Sequence, residues 1–468
     1  MLERSFHRFP HPWGVPATME DRRMKKTVTA FLIAIVVTFA FGVGCVEATA
    51  PPSDSLTSDT SRQPGQGDTS SGTSPGSTGG IGDGSTRKSI RIGLSRPITG
   101  IFRSFEQDTF GPVYRMWRDQ VNAEGGIYVA EYGRRLPVEF IVLDDYSDMQ
   151  MMIRNTERLM LEMHVDFMFP SCSTGFLFAQ AELTNRHGFM LFGAEGGASE
   201  LAASYERYPL FFGTANHSVT QIPALGEILQ EAGISTVFIV YINDLHGTEY
   251  ASASTTIFQT FGIDIVGMST IPRNLQDFTT IFNQAKASGA QAYLQFAYPG
   301  ENIPAVVQAA EMGFNPEVML FGPGVGMDSF IFEVGVEIAH GIMAWGAFND
   351  SHPGAADWIE RFKRHVIEVE GRTPNMDWWG HLPFAAVLQV FQQAVEGAGT
   401  LNNAEVAQFM KDNTFETVMG TIWYENNQIA AEAFLGNVGQ WQYGRFEVID
   451  VGRNRTANPI IPKPNWPN

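Results

Sequence analysis

Two patterns of apolar residues alternate along the chain from Ser89 onwards. Residues 89–94 alternate apolar with other side chains at period two, which predicts a strand, and residues 110–121 carry apolar side chains at helical spacing. The alternation predicts further strands at 136–143, 167–169 and 189–192, and helices at 150–163 and 175–185. Strand–helix repetition at this spacing indicates right-handed βαβ units and a parallel sheet.

The same pattern resumes after residue 235. Residues 237–241 are a continuous apolar run, which is typical of a strand buried on both faces. Further strands are predicted at 263–268, 292–296 and 318–321, with helices at 278–288 and 304–312, and two long helices follow at 355–370 and 384–396. The sequence therefore predicts an α/β fold with two doubly wound parallel-sheet lobes.

The first 45 residues predict export. The basic segment Met24-Lys25-Lys26 precedes an uncharged apolar run at 27–44, which ends at Cys45, and this order is typical of a secretory signal. Residues before Met24 form no signal, so we expect Met24 to be the true start. Two alternatives stay open: a cleaved signal with Cys45 as the lipidated N-terminus, or an uncleaved anchor, since about 18 apolar residues just span a bilayer. Both predict an extracytoplasmic, membrane-anchored domain.

Residues 46–88 predict a disordered linker. The tract 51–86 consists largely of Ser, Gly, Thr, Pro and Asp and contains no aromatic residue. Such a composition cannot bury enough apolar surface to offset the entropy of ordering the chain.

Charge and motifs exclude several functions. The chain has 31 Lys and Arg against 50 Asp and Glu, a net charge of −19, so nucleic acid is not an expected partner. Beside Cys45 the only cysteine is Cys172, and no Cys/His cluster has metal spacing, so we expect no metal and no cofactor. No serine-nucleophile elbow, phosphate loop or zinc-protease motif is present, which argues against an enzyme.

An ordered series of stretches carries a family resemblance. These are residues 92–100, 121–127, 143–145, 172–175, 193–199, 439–444 and 462–466. Together they resemble type I periplasmic solute-binding proteins, in particular the branch that serves branched-chain amino acid ABC transporters, over 89–466. The lipobox-like Cys45 resembles the lipidation site of bacterial lipoproteins.

The resemblance implies an architecture and a function. The first lobe would comprise 89–213 and 345–435, the second 214–344 and 436–468, with a hinge of three crossovers. The chain would act as a monomer that captures a small amino acid, amide or carboxylate between the lobes. It would deliver this solute to membrane permease subunits and their ATPases. The alternative is a ligand-sensing receptor domain of the same fold.

The resemblance also implies an anion site on the first lobe. Ser173, Thr174, Gly196 and Gly197 stand where the family holds the ligand's carboxylate. The physics agrees, because a helix N-terminus favours an anion and glycines let the backbone approach a ligand closely. The plainer interpretations are an N-cap for Ser173 and a tight turn for the glycines.

The partner for an ammonium group departs from the family pattern. Loop 322–328 has no acid directly after Pro323, where family members that bind amino acids carry one. Glu195 or Asp328 could replace it, although a solvated loop residue and a helix N-cap are the plainer roles. We therefore expect a modified amino acid, an amide or a small carboxylate rather than leucine.

Aromatic side chains complete the predicted site. His246 and Tyr298 stand at family contact positions. Phe105 could line the pocket from the first ligand loop, and Arg103 could reach an anion there. Trp378 and Trp379 precede a predicted helix, so we expect them in the core.

Overall fold

The computed structural model describes residues 87–196, 199–215 and 217–467. The predicted signal segment, Cys45, Gly197 and all but the last two residues of the predicted linker lie outside this part of the chain. Among the described residues, no helix combines the length and apolar character that crossing a bilayer requires.

Short strands and longer helices alternate over most of the described chain. The strands are β1 (Ile90–Arg96), β2 (Ile127–Val129), β3 (Arg134–Leu136), β4 (Val138–Asp144), β5 (Phe167–Met168), β6 (Leu191–Gly193), β7 (Phe211–Gly213), β8 (Thr236–Ile242), β9 (Asp264–Ile271), β10 (Ala292–Phe296), β11 (Val318–Gly322), β12 (Met343–Trp345), β13 (Phe415–Thr417), β14 (Gly420–Ile422), β15 (Tyr424–Glu425), β16 (Gln428–Ile429), β17 (Val438–Gln442) and β18 (Arg445–Val448). The predicted α/β class is confirmed.

The helices pack between and around these strands. They are α1 (Gly111–Ala123), α2 (Met149–Leu161), α3 (Thr174–His187), α4 (Ser199–Ala203), α5 (Ser218–Glu231), α6 (Leu245–Thr260), α7 (Thr279–Ser288), α8 (Pro299–Glu311), α9 (Asp328–Val334), α10 (Val336–Ala339), α11 (Pro353–Glu368), α12 (His381–Ala398) and α13 (Asn403–Asp412). A π-helical turn at Phe105–Phe110 leads into α1, and single 3₁₀ turns lie at Ala130–Tyr132 and Ala431–Ala433.

The two predicted blocks form separate sheets. In the first block, β4, β1 and β5 form a parallel sheet in the order β4-β1-β5. A second sheet has the order β15-β16-β7-β6, in which β7 pairs in parallel with both β6 and β16. In the second block, one sheet has the order β18-β17-β12-β11-β10-β8-β9, in which β17 pairs antiparallel with both β12 and β18 and the other pairs are parallel. Its central strands are buried, as the apolar run at 237–241 predicts.

The chain passes between these sheets three times. It leaves the first block after β7, returns after β12 to form α11 to β16, and leaves again before β17. Helices α11 and α12 pack against α1, so they complete the first lobe.

Candidate ligand-binding cleft

A cleft that opens to solvent lies where the two lobes meet. The described residues that line it are Phe105, Phe110, Cys172, Ser173, Thr174, Glu195, Gly196, His246, Tyr250, Tyr298, Pro323, Trp345 and Trp379. Both lobes contribute, and most of the lining follows the carboxyl ends of strands, where open α/β sheets bind ligands.

Most of the residues predicted from the sequence come together here. Phe105, Ser173, Thr174, Glu195, Gly196, His246 and Tyr298 all belong to the lining. Asp328 does not, because its carboxylate accepts hydrogen bonds from Trp378 Nε1 at 3.0 Å and from the Met376 backbone N–H at 3.3 Å. Arg103 is exposed. Its predicted contact with a ligand anion has no support in this geometry.

Trp378 and Trp379 were expected in the core, and both pack against the main core cluster; Trp379 also lines the cavity. The reason is the turn before α12, where the Asp377 carboxylate accepts the backbone N–H of Trp379 at 2.9 Å and that of Gly380 at 3.1 Å. This turn brings the Trp379 indole to the cleft, and its Nε1 has no acceptor among the described residues.

Two loops of the first lobe meet backbone to backbone at one wall. The backbone N–H of Ser173 donates to the Glu195 carbonyl at 3.1 Å, and Ser173 has a positive φ of 88°. A Cβ on Gly196 would lie 2.7 Å from the Thr174 nitrogen, so only glycine fits there. Thr174 begins α3, whose first backbone N–H groups have no partner within the helix. The arrangement suits an anionic or carbonyl group of a ligand.

Glu195 is a buried carboxylate with one free oxygen. It is 3% exposed, and its Oε1 accepts a hydrogen bond from Arg96 Nη1 at 2.6 Å. Its Oε2 has no hydrogen-bond partner among the described residues. Burial raises the pKa of Glu195 to about 7, although the charge of Arg96 opposes this shift.

Arg96 binds two carboxylates of this wall, and it is not among the site residues predicted from the sequence. The side chain is fully buried at the end of β1, donates from Nε to Glu106 Oε2 at 2.6 Å, and donates from Nη1 to the Pro170 carbonyl at 2.7 Å. Tyr114 donates its hydroxyl to Glu106 Oε1 at 2.6 Å. The available signal was the arginine at the carboxyl end of β1, which follows the buried residues 92–95.

The second lobe contributes a cluster of rings that meet at tilted angles. His246 lies 5.1 Å from Tyr298 and 4.9 Å from Tyr250 between ring centroids. Burial lowers the pKa of His246 to about 4, so the imidazole is neutral, and its Nε2 has no partner among the described residues. The indole N–H of Trp345 also has none. Buried polar atoms normally have hydrogen-bond partners, so these atoms indicate a ligand.

The lobes also touch each other beside the cavity. Ser199 of α4 donates to Glu249 Oε1 of α6 at 2.7 Å, and the Arg273 guanidinium lies 5.1 Å from the centre of the Phe102 ring. These contacts join the two lobes across the cleft.

Comparison with protein-family models identifies the family of this chain. The model described as "Periplasmic binding protein" matches residues 89–442. The chain belongs to the periplasmic binding protein family. Membership confirms the predicted resemblance, and it confirms that this periplasmic binding protein acts outside the cytoplasm and is not an enzyme.

Individual relatives of this periplasmic binding protein are distant. Leu/Ile/Val-binding protein homolog 7 of Brucella melitensis biotype 1 is 24% identical over 353 residues, which cover 71% of this chain and 84% of that protein. Homolog 8 of Brucella abortus is 23% identical over 382 residues, covering 77% and 90%.

Solved structures confirm the predicted type I fold. The branched-chain amino acid transporter substrate-binding protein of Streptococcus pneumoniae, in complex with isoleucine, is 17% identical with a TM-score of 0.65, covering 77% of this chain and 98% of that one. A solute-binding protein of an ABC transporter from Rhodopseudomonas palustris, in complex with 3,4-dihydroxybenzoic acid, is 17% identical with a TM-score of 0.64, covering 81% and 97%.

Proposed function

We propose that this chain is the solute-binding component of an ABC transporter of the branched-chain amino acid type. It captures a small amino acid, amide or carboxylate between its lobes and delivers it, as a monomer, to permease subunits and their ATPases. The observation that carries this proposal is the cavity lined by both lobes, in which Glu195 Oε2, His246 Nε2 and Trp345 Nε1 are buried without partners in the part of the chain that the structure describes.

The chemistry of the walls supports capture of a polar solute with an apolar part. The N-terminus of α3 and the Gly196 loop offer backbone donors, and the opposite wall offers rings. The relatives are named Leu/Ile/Val-binding proteins, and structures of the same fold hold isoleucine or a dihydroxybenzoic acid. The missing acid after Pro323 favours a solute other than leucine.

Ligand capture is tested with the full-length protein in detergent. A panel of branched, aromatic and modified amino acids, arylalkylamines, amides and small carboxylates is screened by thermal unfolding. A solute present at about 100 times its Kd should add about 2.7 kcal/mol to the apparent free energy of unfolding. Because periplasmic binding proteins are a standard case of hinge closure, hydrogen exchange should also slow at residues 172–176 and 246–250. The proposal fails if no panel member changes either quantity.

We also propose that Cys45, outside the described residues, carries the lipid anchor. Mass spectrometry of protein extracted from the membrane should find a mature N-terminus at Cys45 with added acyl mass. Cys45→Ser should abolish that mass and leave residues 27–44 on the protein. Intact residues 27–44 on the unaltered protein would instead identify this segment as an uncleaved anchor.

A further inference from the structure

We propose that the cleft is built for a solute that combines an aromatic ring with a nitrogen cation bearing N–H groups, and that Glu195 is the counter-ion of that cation. This inference rests on the proposed solute-binding function and specifies its ligand class. It places the acidic partner on the first lobe, on the loop that follows β6.

The hydrogen bonds of Glu195 leave one oxygen for a ligand. Arg96 holds Oε1 at 2.6 Å, and the Nε and Nη1 of Arg96 are also committed to Glu106 and to the Pro170 carbonyl. This fixes the Glu195 carboxylate in place beside the cavity that it lines, with Oε2 buried and without a partner among residues 87–196, 199–215 and 217–467. Leaving a buried carboxylate oxygen without a donor is costly, so a donor from the ligand stabilises the complex.

The local charge balance favours a cation as that donor. Glu106, Glu195 and Asp145 are buried carboxyl groups, whereas Arg96 is the fully buried cation that faces them. Arg115 contributes little to Glu195, because it is one-third exposed and its closer partner is Glu370 at 2.9 Å. A cationic N–H group at Oε2 therefore meets an excess of negative charge, and charge-assisted hydrogen bonds of this kind are short and strong.

The remaining acceptor and the rings define the rest of the solute. His246 Nε2 is a second buried acceptor without a partner among the described residues, and a quaternary ammonium would satisfy neither acceptor. Six of the thirteen described residues that line the cleft are aromatic: Phe105, Phe110, Tyr250, Tyr298, Trp345 and Trp379. Aromatic faces pack well against a flat ring and attract a nearby cation, which favours an arylalkylamine or an aromatic amino acid.

Proton exchange at Glu195 on ligand binding distinguishes a cationic ligand from an anionic one. The groups that face this carboxyl are Arg96, Glu106, Asp145 and Cys172, and burial raises the pKa of Glu195 to about 7. A cation at Oε2 lowers that pKa, so binding near pH 7 releases a fraction of a proton. A carboxylate at the same oxygen requires the protonated acid, so its binding takes up a proton.

The test is calorimetry on the full-length protein at pH 7, in phosphate and in Tris, because the difference in heat reports the protons exchanged. The probes are phenethylamine, L-phenylalanine, phenylacetate and L-leucine. We expect phenethylamine or phenylalanine to bind with proton release and to bind more tightly than phenylacetate and leucine. Glu195→Gln should weaken that binding at least 100-fold, about 2.7 kcal/mol. The control is Glu200→Gln, an exposed glutamate in α4, which should leave the affinity unchanged.

Each contrary outcome has a distinct meaning. Tighter binding of phenylacetate with proton uptake, tighter binding of leucine, or affinity indifferent to Glu195→Gln would overturn this ligand class and leave solute capture standing. Binding of none of the four probes would also overturn it, whereas the proposed function fails only if the broader panel shows no ligand. If Glu195→Gln does not fold, the sign of the proton exchange in the unaltered protein decides alone.

Discussion

Replacement of Arg96 by methionine should lower the free energy of unfolding by about 3–5 kcal/mol, the range found when one partner of a buried ion pair is removed. Arg96 is fully buried and holds both Glu106 and Glu195 at 2.6 Å. Without it, two carboxylates face each other in a dry environment. Urea unfolding at pH 8 of both proteins measures the loss.

The pH dependence and two further variants separate this explanation from lost packing. The pKa of Glu195, already raised by burial, should rise further without Arg96, so the folded state holds more protons than the unfolded chain. The loss of stability should therefore grow as the pH rises and shrink at pH 5. Adding Glu195→Gln to Arg96→Met should recover part of the loss.

The matched control is Arg118→Met. Arg118 pairs with Asp119 at 2.7 Å, but both side chains are more than one-third exposed, so the expected change is below about 1 kcal/mol. A loss for Arg96→Met no larger than that of the control would show that the buried ion pairs do not stabilise the first lobe.

Replacement of Trp345 by alanine should cost about 3–5 kcal/mol, as large-to-small changes in a core do. The Trp345 side chain is 2% exposed and stacks on Tyr250 at 5.5 Å and Phe296 at 5.8 Å between ring centroids. Gly322 packs against the indole so closely that a Cβ there would lie 2.1 Å from it. Thermal and urea unfolding without ligand measure the cost.

A graded pair of variants checks that packing is the cause. Trp345→Phe keeps a ring and should cost less than Trp345→Ala. Tyr443→Ala removes an aromatic side chain that is 80% exposed and should change stability by no more than about 0.5 kcal/mol. Equal losses for Trp345→Phe and Trp345→Ala would mean that the indole, rather than ring packing, is what the second lobe needs.

Local patterns in the sequence were sufficient for the fold class and for most strand positions. Strand β8 spans Thr236–Ile242, where an apolar run at 237–241 predicts it, because burial on both faces leaves a continuous apolar signature. The ends of the helices were predicted less accurately than their existence. Helix α8 begins at Pro299 rather than residue 304, because the first proline, at N1, already fits a helix start.

The sequence also located the cleft, since ligand loops follow strand ends and those loops can be named once strands are assigned. It could not decide what each side chain contacts. Asp328 and Glu195 are both loop carboxylates in the sequence, yet Asp328 is held by Trp378 and Glu195 lines the cavity.

The tertiary structure alone decided the central electrostatic feature. Arg96 and Glu195 are 99 positions apart, and no local period links them. Their pairing requires the ends of β1 and β6 to lie at the same edge of the first lobe, where burial makes each charge depend on the other. Sequence determined which segments become strands, because that depends on neighbouring residues; the site's charge balance depends on contacts that form only when distant strands assemble.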